Sequence, residues 1–117
     1  MRRFEELRVW KDARNLVKEI YSLTDPIKDW SFKDQIRRAA VSVMNNIAEG
    51  SESGTDANFI KFLNIAKGSC AEVRSMLYLM EVLFNPEHET ILSLQDSTER
   101  ISSNIYNLIN YLNKNTK

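Results

Sequence analysis

Apolar residues recur along most of the chain at alternating steps of four and three. Near the N-terminus Val9, Ala13, Leu16, Ile20 and Leu23 step 4-3-4-3, with Trp10 and Val17 widening the stripe. At about 100° per residue such positions share one helix face. The spacing predicts a first helix from Phe4 to Thr24. Asp25-Pro26 ends it, because proline cannot continue a helix and biases its predecessor away from helical angles. Ser31 is the expected N-cap of a second helix, with Asp34 in its first turn and Trp30 stapled against Gln35 or Ile36. That helix ends near Gly50. A polar loop, Ser51 to Thr55, follows.

Thr55 or Asp56 is expected to cap a third helix reaching Phe84. Phe59, Leu63, Ala66, Cys70, Val73, Leu77, Met80 and Phe84 form an unbroken 4-3 seam along it. Pro86-Glu87 opens a fourth helix, in which Leu94, Thr98, Ile101, Ile105, Leu108 and Leu112 repeat the step with Thr98 as the polar member. Asn113 to Lys117 should fray. Such seams suit left-handed helix packing, and short connections favour antiparallel neighbours. The prediction is an all-α, antiparallel up-down-up-down left-handed four-helix bundle forming a single domain over residues 1–117. The third helix, about 30 residues or roughly 45 Å long, should project beyond its neighbours or be covered by another subunit.

The second helix carries more apolar surface than one bundle needs. It holds no charge from Ala39 through Ala48. Its apolar positions cover an arc of roughly 200°, against the 100° or so of a helix on one core. Ile36, Ala40, Val43 and Ile47 form the bundle seam. Val41, Met44 and Ala48 form a second face, with Arg37 inside it. An unpaired buried guanidinium is costly, so Arg37 should meet a carboxylate, Glu72 being the candidate, or lie at the edge of a subunit contact. From Met76 to Phe84 the third helix is apolar almost all round, with only Glu81 charged. The expected oligomer contact therefore comprises Arg37, Val41, Met44, Ala48, Met76 and Leu83. Gly68 sits mid-helix at a cost of about 1 kcal/mol relative to alanine, so a helix or a neighbouring subunit is expected to approach there.

Composition changes this picture little. Lysine plus arginine number 16, as do aspartate plus glutamate, which argues against indiscriminate nucleic-acid binding. The halves differ. Residues 1–38 carry ten basic and seven acidic side chains, and residues 39–117 carry six and nine. Arg8, Lys11, Arg14 and Lys18 form the clearest basic stripe, on the first helix opposite its apolar face. Two readings stand open: a solvated helix face, or a surface that tracks phosphates. Arg2 and Arg3 either extend the stripe or are disordered. No apolar run is long enough to span a membrane, and nothing behind the N-terminal arginines resembles a secretory signal. One cysteine fits a reducing cytoplasm.

Catalytic chemistry is not evident. Cys70 lies on the third-helix seam and reads as core. His88, between Glu87 and Glu89, reads as surface, with no second ligand at metal-binding spacing. Glu49 and Glu72 read as capping or ion-pair residues. Trp10, Tyr21 and Trp30 read as packing residues rather than platforms for bases. Asn45 and Asn46 either bond across a subunit boundary or cap backbone. No enzyme activity, metal, cofactor or small-molecule substrate is expected.

The stretch QIRRAAVSVMNNIAEG, Gln35 to Gly50, resembles the signature of the small four-helix-bundle proteins encoded in intervening sequences of bacterial 23S rRNA genes, once labelled S23 ribosomal proteins. Val9-Trp10-Lys11 with Ala13, Ile20-Tyr21, and Ile65 to Ser69 also fit. Met44-Asn45 stand where the family often has Pro-Ser, which removes a helix kink. The resemblance implies an antiparallel bundle, often a ring-shaped pentamer, without enzymatic activity. A relative, the accessory variability protein of diversity-generating retroelements, binds a reverse transcriptase and nucleic acid. Two functions follow: a homo-oligomeric module associated with RNA or a nucleic-acid-processing protein, or a structural adaptor that binds a protein partner without nucleic acid.

Overall fold

The 4-3 seams become four helices in the computed structural model, which describes residues 3–115: α1 (Arg8–Thr24), α2 (Trp30–Ser51), α3 (Asp56–Phe84) and α4 (His88–Asn115). Arg2 and the last two residues of the tail lie outside the described residues, and Asn113 to Asn115 continue α4. The expected first helix divides. Phe4–Glu6 form a single 3-10 turn, and Leu7 is extended (φ −75°, ψ 125°) before α1 begins. That break lets Phe4 meet Trp10 edge-on at 5.1 Å while Leu7 packs against the core.

Cross-helix contacts fix the topology. Arg37 on α2 meets Tyr21 and Thr24 on α1. Gln35 bonds Glu72, and seven residues later Ser42 meets Ser69. Cys70 donates to the Thr98 carbonyl, and Lys67 lies over the Tyr106 ring. On the last two pairs of helices numbers rise on one as they fall on the other, so these neighbours are antiparallel. Each helix packs on two others, in the ring order α1, α2, α3, α4. The chain measures 48 × 21 × 20 Å. The 29 residues of α3 are matched by 28 in α4, so these two run side by side, and neither projects alone.

The core is aliphatic. Leu16, Ile20, Ile36, Ile47, Leu63, Leu77, Ile91, Ile101 and Ile105 are fully buried. Thr98 is tolerated there because its hydroxyl donates to the Gln95 carbonyl at 2.7 Å. Phe32 packs edge-on against Phe84 at 5.2 Å, covering that end of α3.

Several local expectations shift. Asp29, not Ser31, caps α2: its carboxylate accepts from the Phe32 N–H at 3.1 Å. A carboxylate also suits the positive helix end, which is why the earlier residue prevails. The Trp30 staple does not form, and Trp30 is 68% exposed. Thr55 caps α3 as expected, accepting from the Asn58 N–H at 3.1 Å. Asn85 ends α3 in the left-handed region (φ 47°). Gly50 lies inside α2 and is buried. A Cβ there would stand 2.8 Å from Phe62 Cβ and 2.9 Å from Phe59 Cδ1, so the close approach occurs at this glycine. At Gly68 a Cβ would meet nothing within 4 Å, so no other helix among the described residues approaches it.

The second face of α2 is partly covered by its own chain. Met44 packs against the core, and Val41 and Ala48 are half-buried. Met76, expected at a subunit contact, is only 8% exposed because its own bundle covers it. Leu83 does face outward, as do Tyr78, Leu79 and Val82.

Candidate nucleic-acid interface

The basic stripe is present on the outer face of α1. Arg8, Lys11, Arg14 and Lys18 are all exposed. Arg8 lies 3.7 Å from Asp12, one turn on. The Arg14 guanidinium sits 5.0 Å over the Trp10 ring. No carboxylate among the described residues pairs with Lys11, Arg14 or Lys18. Three cations on one helix face are therefore available to a polyanion. The stripe follows from the same periodicity that buries Leu16 and Ile20, since the basic positions fall on the opposite side of the helix.

Beside it runs a shallow groove of about 540 Å³ along the outer face of α2. Tyr21, Trp30, Arg37, Arg38, Asn45 and Glu49 line it, with Asp34, Val41, Ser42 and Asn46. Arg37 does not pair with Glu72. Its Nε donates to Thr24 Oγ1 at 2.9 Å and its terminal nitrogen to the Tyr21 carbonyl at 3.1 Å, and the guanidinium lies 4.2 Å over the Tyr21 ring. Glu72 instead accepts from Gln35 at 3.3 Å. The reason is local: the last turn of α1 leaves carbonyls without helical partners, and a cation at that end also suits the helix dipole. Lys33 does the same job, donating to the Asp25 carbonyl at 3.1 Å. Arg38 binds Asp34 at 2.9 Å. Asn46 donates to the Ser42 carbonyl and hydroxyl, one turn back on its own helix, at 2.8 and 3.0 Å. Tyr21 packs against Arg37, in line with a packing role, although 43% of it stays exposed, whereas Trp30 is mostly exposed. Both lie outside the 4-3 seams, and that was the available sign of their exposure.

The remaining reactive groups are dispersed. Cys70 is buried, and desolvation pushes its thiol up to about 11, far from a nucleophile's range. His88 is exposed and pairs with Glu81 at 3.2 Å, joining the ends of α3 and α4. Glu49 lies in the α2 groove, whereas Glu72 stands beside Gln35 near the opposite end of that helix, so the two carboxylates are not brought together. Among the described residues no cluster of histidine, cysteine and carboxylates suits a metal ion. No helix among them is long and apolar enough to cross a membrane.

Comparison with known proteins bears on the family. Among solved structures, a protein of unknown function from the S23 ribosomal protein family of Bacteroides thetaiotaomicron VPI-5482 superposes with a TM-score of 0.80 at 24% identity. The match covers 86% of this chain and 97% of that one, and at this identity it speaks to the fold. No curated protein matches the chain. The family model for the 23S rRNA-intervening sequence protein matches residues 5–107. That span holds α1, α2, α3 and most of α4, and the chain belongs to the 23S rRNA-intervening sequence protein family.

Proposed function

We propose that this chain is a non-catalytic building block of a homo-oligomer, a ring of five copies, that associates with structured RNA through the basic face of α1. The observation that carries the RNA reading is the set of exposed cations Lys11, Arg14 and Lys18 on one face, which pair with no carboxylate among the described residues. Phosphates release counterions when such cations neutralise them, and this supplies affinity without a deep pocket. Assembly draws support from the outward apolar side chains of α3, where Val82 is 81% exposed beside Leu79 and Leu83. The absence of catalysis belongs to the same reading: the cysteine is core packing, and the histidine is tied to Glu81 at the surface.

Reversing Lys11, Arg14 and Lys18 to glutamate is expected to abolish salt-sensitive binding to structured RNA. Absence of binding by the unaltered protein at low salt would overturn the reading. Light scattering is expected to give five times the 13.6 kDa chain mass. A lone particle at high concentration would contradict the ring.

The same apolar side chains of α3 favour a second reading, an adaptor whose assembly holds another protein. Recovery of one stoichiometric protein partner that survives nuclease treatment would select it.

A further inference from the structure

We infer that the groove on the outer face of α2 takes unpaired bases, so that the RNA bound here is a single-stranded loop or end rather than a duplex. This rests on the RNA reading given above, and it leaves assembly to the outward side chains of α3 rather than to Arg37 and Val41 of α2. Trp30 is the first indication. It is the first residue of α2, yet the cap uses the Asp29 carboxylate and the Phe32 backbone, and the indole contributes nothing to it. An indole left mostly in water is apolar surface that the bundle does not use. Tyr21 is the second. The residue is 43% exposed, and its ring carries the Arg37 guanidinium, a plane held rigid by two hydrogen bonds. Both are surfaces on which a base can stack at little entropic cost.

Hydrogen-bonding groups stand next to these planes. Asn45 is exposed. Asn46 spends its amide hydrogens on Ser42, which fixes the group and leaves its carbonyl oxygen to accept from a base edge. The groove also continues the phosphate surface. Arg14, Lys18 and Tyr21 step by four and three along one row of α1, so a strand tracked by the basic stripe reaches the groove at Tyr21. Of the two carboxylates lining the groove, Asp34 is neutralised by Arg38, while Glu49 pairs with no cation among the described residues and opposes the strand at its end of the groove. A duplex keeps its base faces stacked on one another and offers only phosphates to such a surface. Aromatic and guanidinium planes gain contact only when bases are free.

The test compares oligo(U) with a blunt RNA duplex of equal phosphate number, using the full-length protein. Trp30→Ala is expected to weaken oligo(U) binding roughly 5- to 150-fold, the range that loss of one stacked base gives, and to leave duplex binding unchanged. Trp30→Phe should restore most of the loss, and Glu49→Gln should tighten oligo(U) binding. Reversing Lys11 and Lys18 to glutamate should weaken both ligands. If wild-type protein binds the duplex as tightly as oligo(U), or if Trp30→Ala affects both equally or neither, the single-strand inference is overturned while the RNA reading stands. If neither RNA binds, both fall together.

Discussion

Arg37 ties the second helix to the first through acceptors that carry no charge. Its position inside an apolar face called for a partner, and a carboxylate was the natural candidate. The fold uses main-chain and hydroxyl acceptors at the end of α1 instead. Arg37 therefore ties α2 to α1 rather than to α3. Substituting alanine removes two hydrogen bonds and a ring contact, for an expected loss of about 1–3 kcal/mol. A urea titration of Arg37→Ala should show this as a lower midpoint. Glu72→Gln should leave stability nearly unchanged, because among the described residues the exposed Glu72 accepts from Gln35 alone. Cys70 gives a pH signature at the same scale. Burial raises its folded pKa to about 11 from a reference of 9.0. Below pH 9 the thiol is neutral in both states and costs nothing. Between the two values the unfolded chain releases its proton and the folded chain keeps it, so stability falls as pH rises, by about 1.4 kcal/mol per unit. Cys70→Ala should lower stability at neutral pH through the cavity it leaves, yet its stability should decline less steeply than wild type between pH 9 and 11.

At the scale of the element, caps and glycines decide where helices start and how closely they pack. Asp29→Ala should cost about 1 kcal/mol through the lost cap, and Ser31→Ala almost nothing. Thermal unfolding of the two variants separates them. Gly50→Ala should destabilise by about 1–3 kcal/mol, because its methyl group would press on the Cβ of Phe62 and the ring of Phe59. Gly68→Ala meets open space and should stabilise the isolated chain by about 1 kcal/mol. The helices themselves were legible because the seams of Val9 to Leu23, Phe59 to Phe84 and Leu94 to Leu112 carry a strong period. Their ends were less so. Asp29 and Ser31 are both sound caps, and choosing between them depends on where Phe32 must point to reach Phe84. Gly50 and Gly68 look alike in sequence, since which helix passes nearby is a property of the packed bundle. The basic stripe of α1 was readable from spacing alone. The groove beside it was not, because it joins Tyr21 on one helix to Trp30 and Arg37 on another.

For the whole molecule the informative quantity is how charge and apolar surface are distributed. A chain with equal numbers of acidic and basic residues nonetheless presents a cationic face on α1, while α3 turns aliphatic side chains outward at its C-terminal end. One face suits a polyanion and the other a second protein surface, and both lie outside the core that holds the bundle together. The basic face can therefore be altered without unfolding the protein. The most direct measurement is the salt dependence of RNA binding, comparing wild type with Lys11→Gln and Lys18→Gln. The logarithm of the binding constant should fall linearly with the logarithm of salt concentration, and each substitution should make that slope shallower by about one unit. A slope that is flat in wild type, or that neither substitution changes, would contradict a phosphate-binding role for α1.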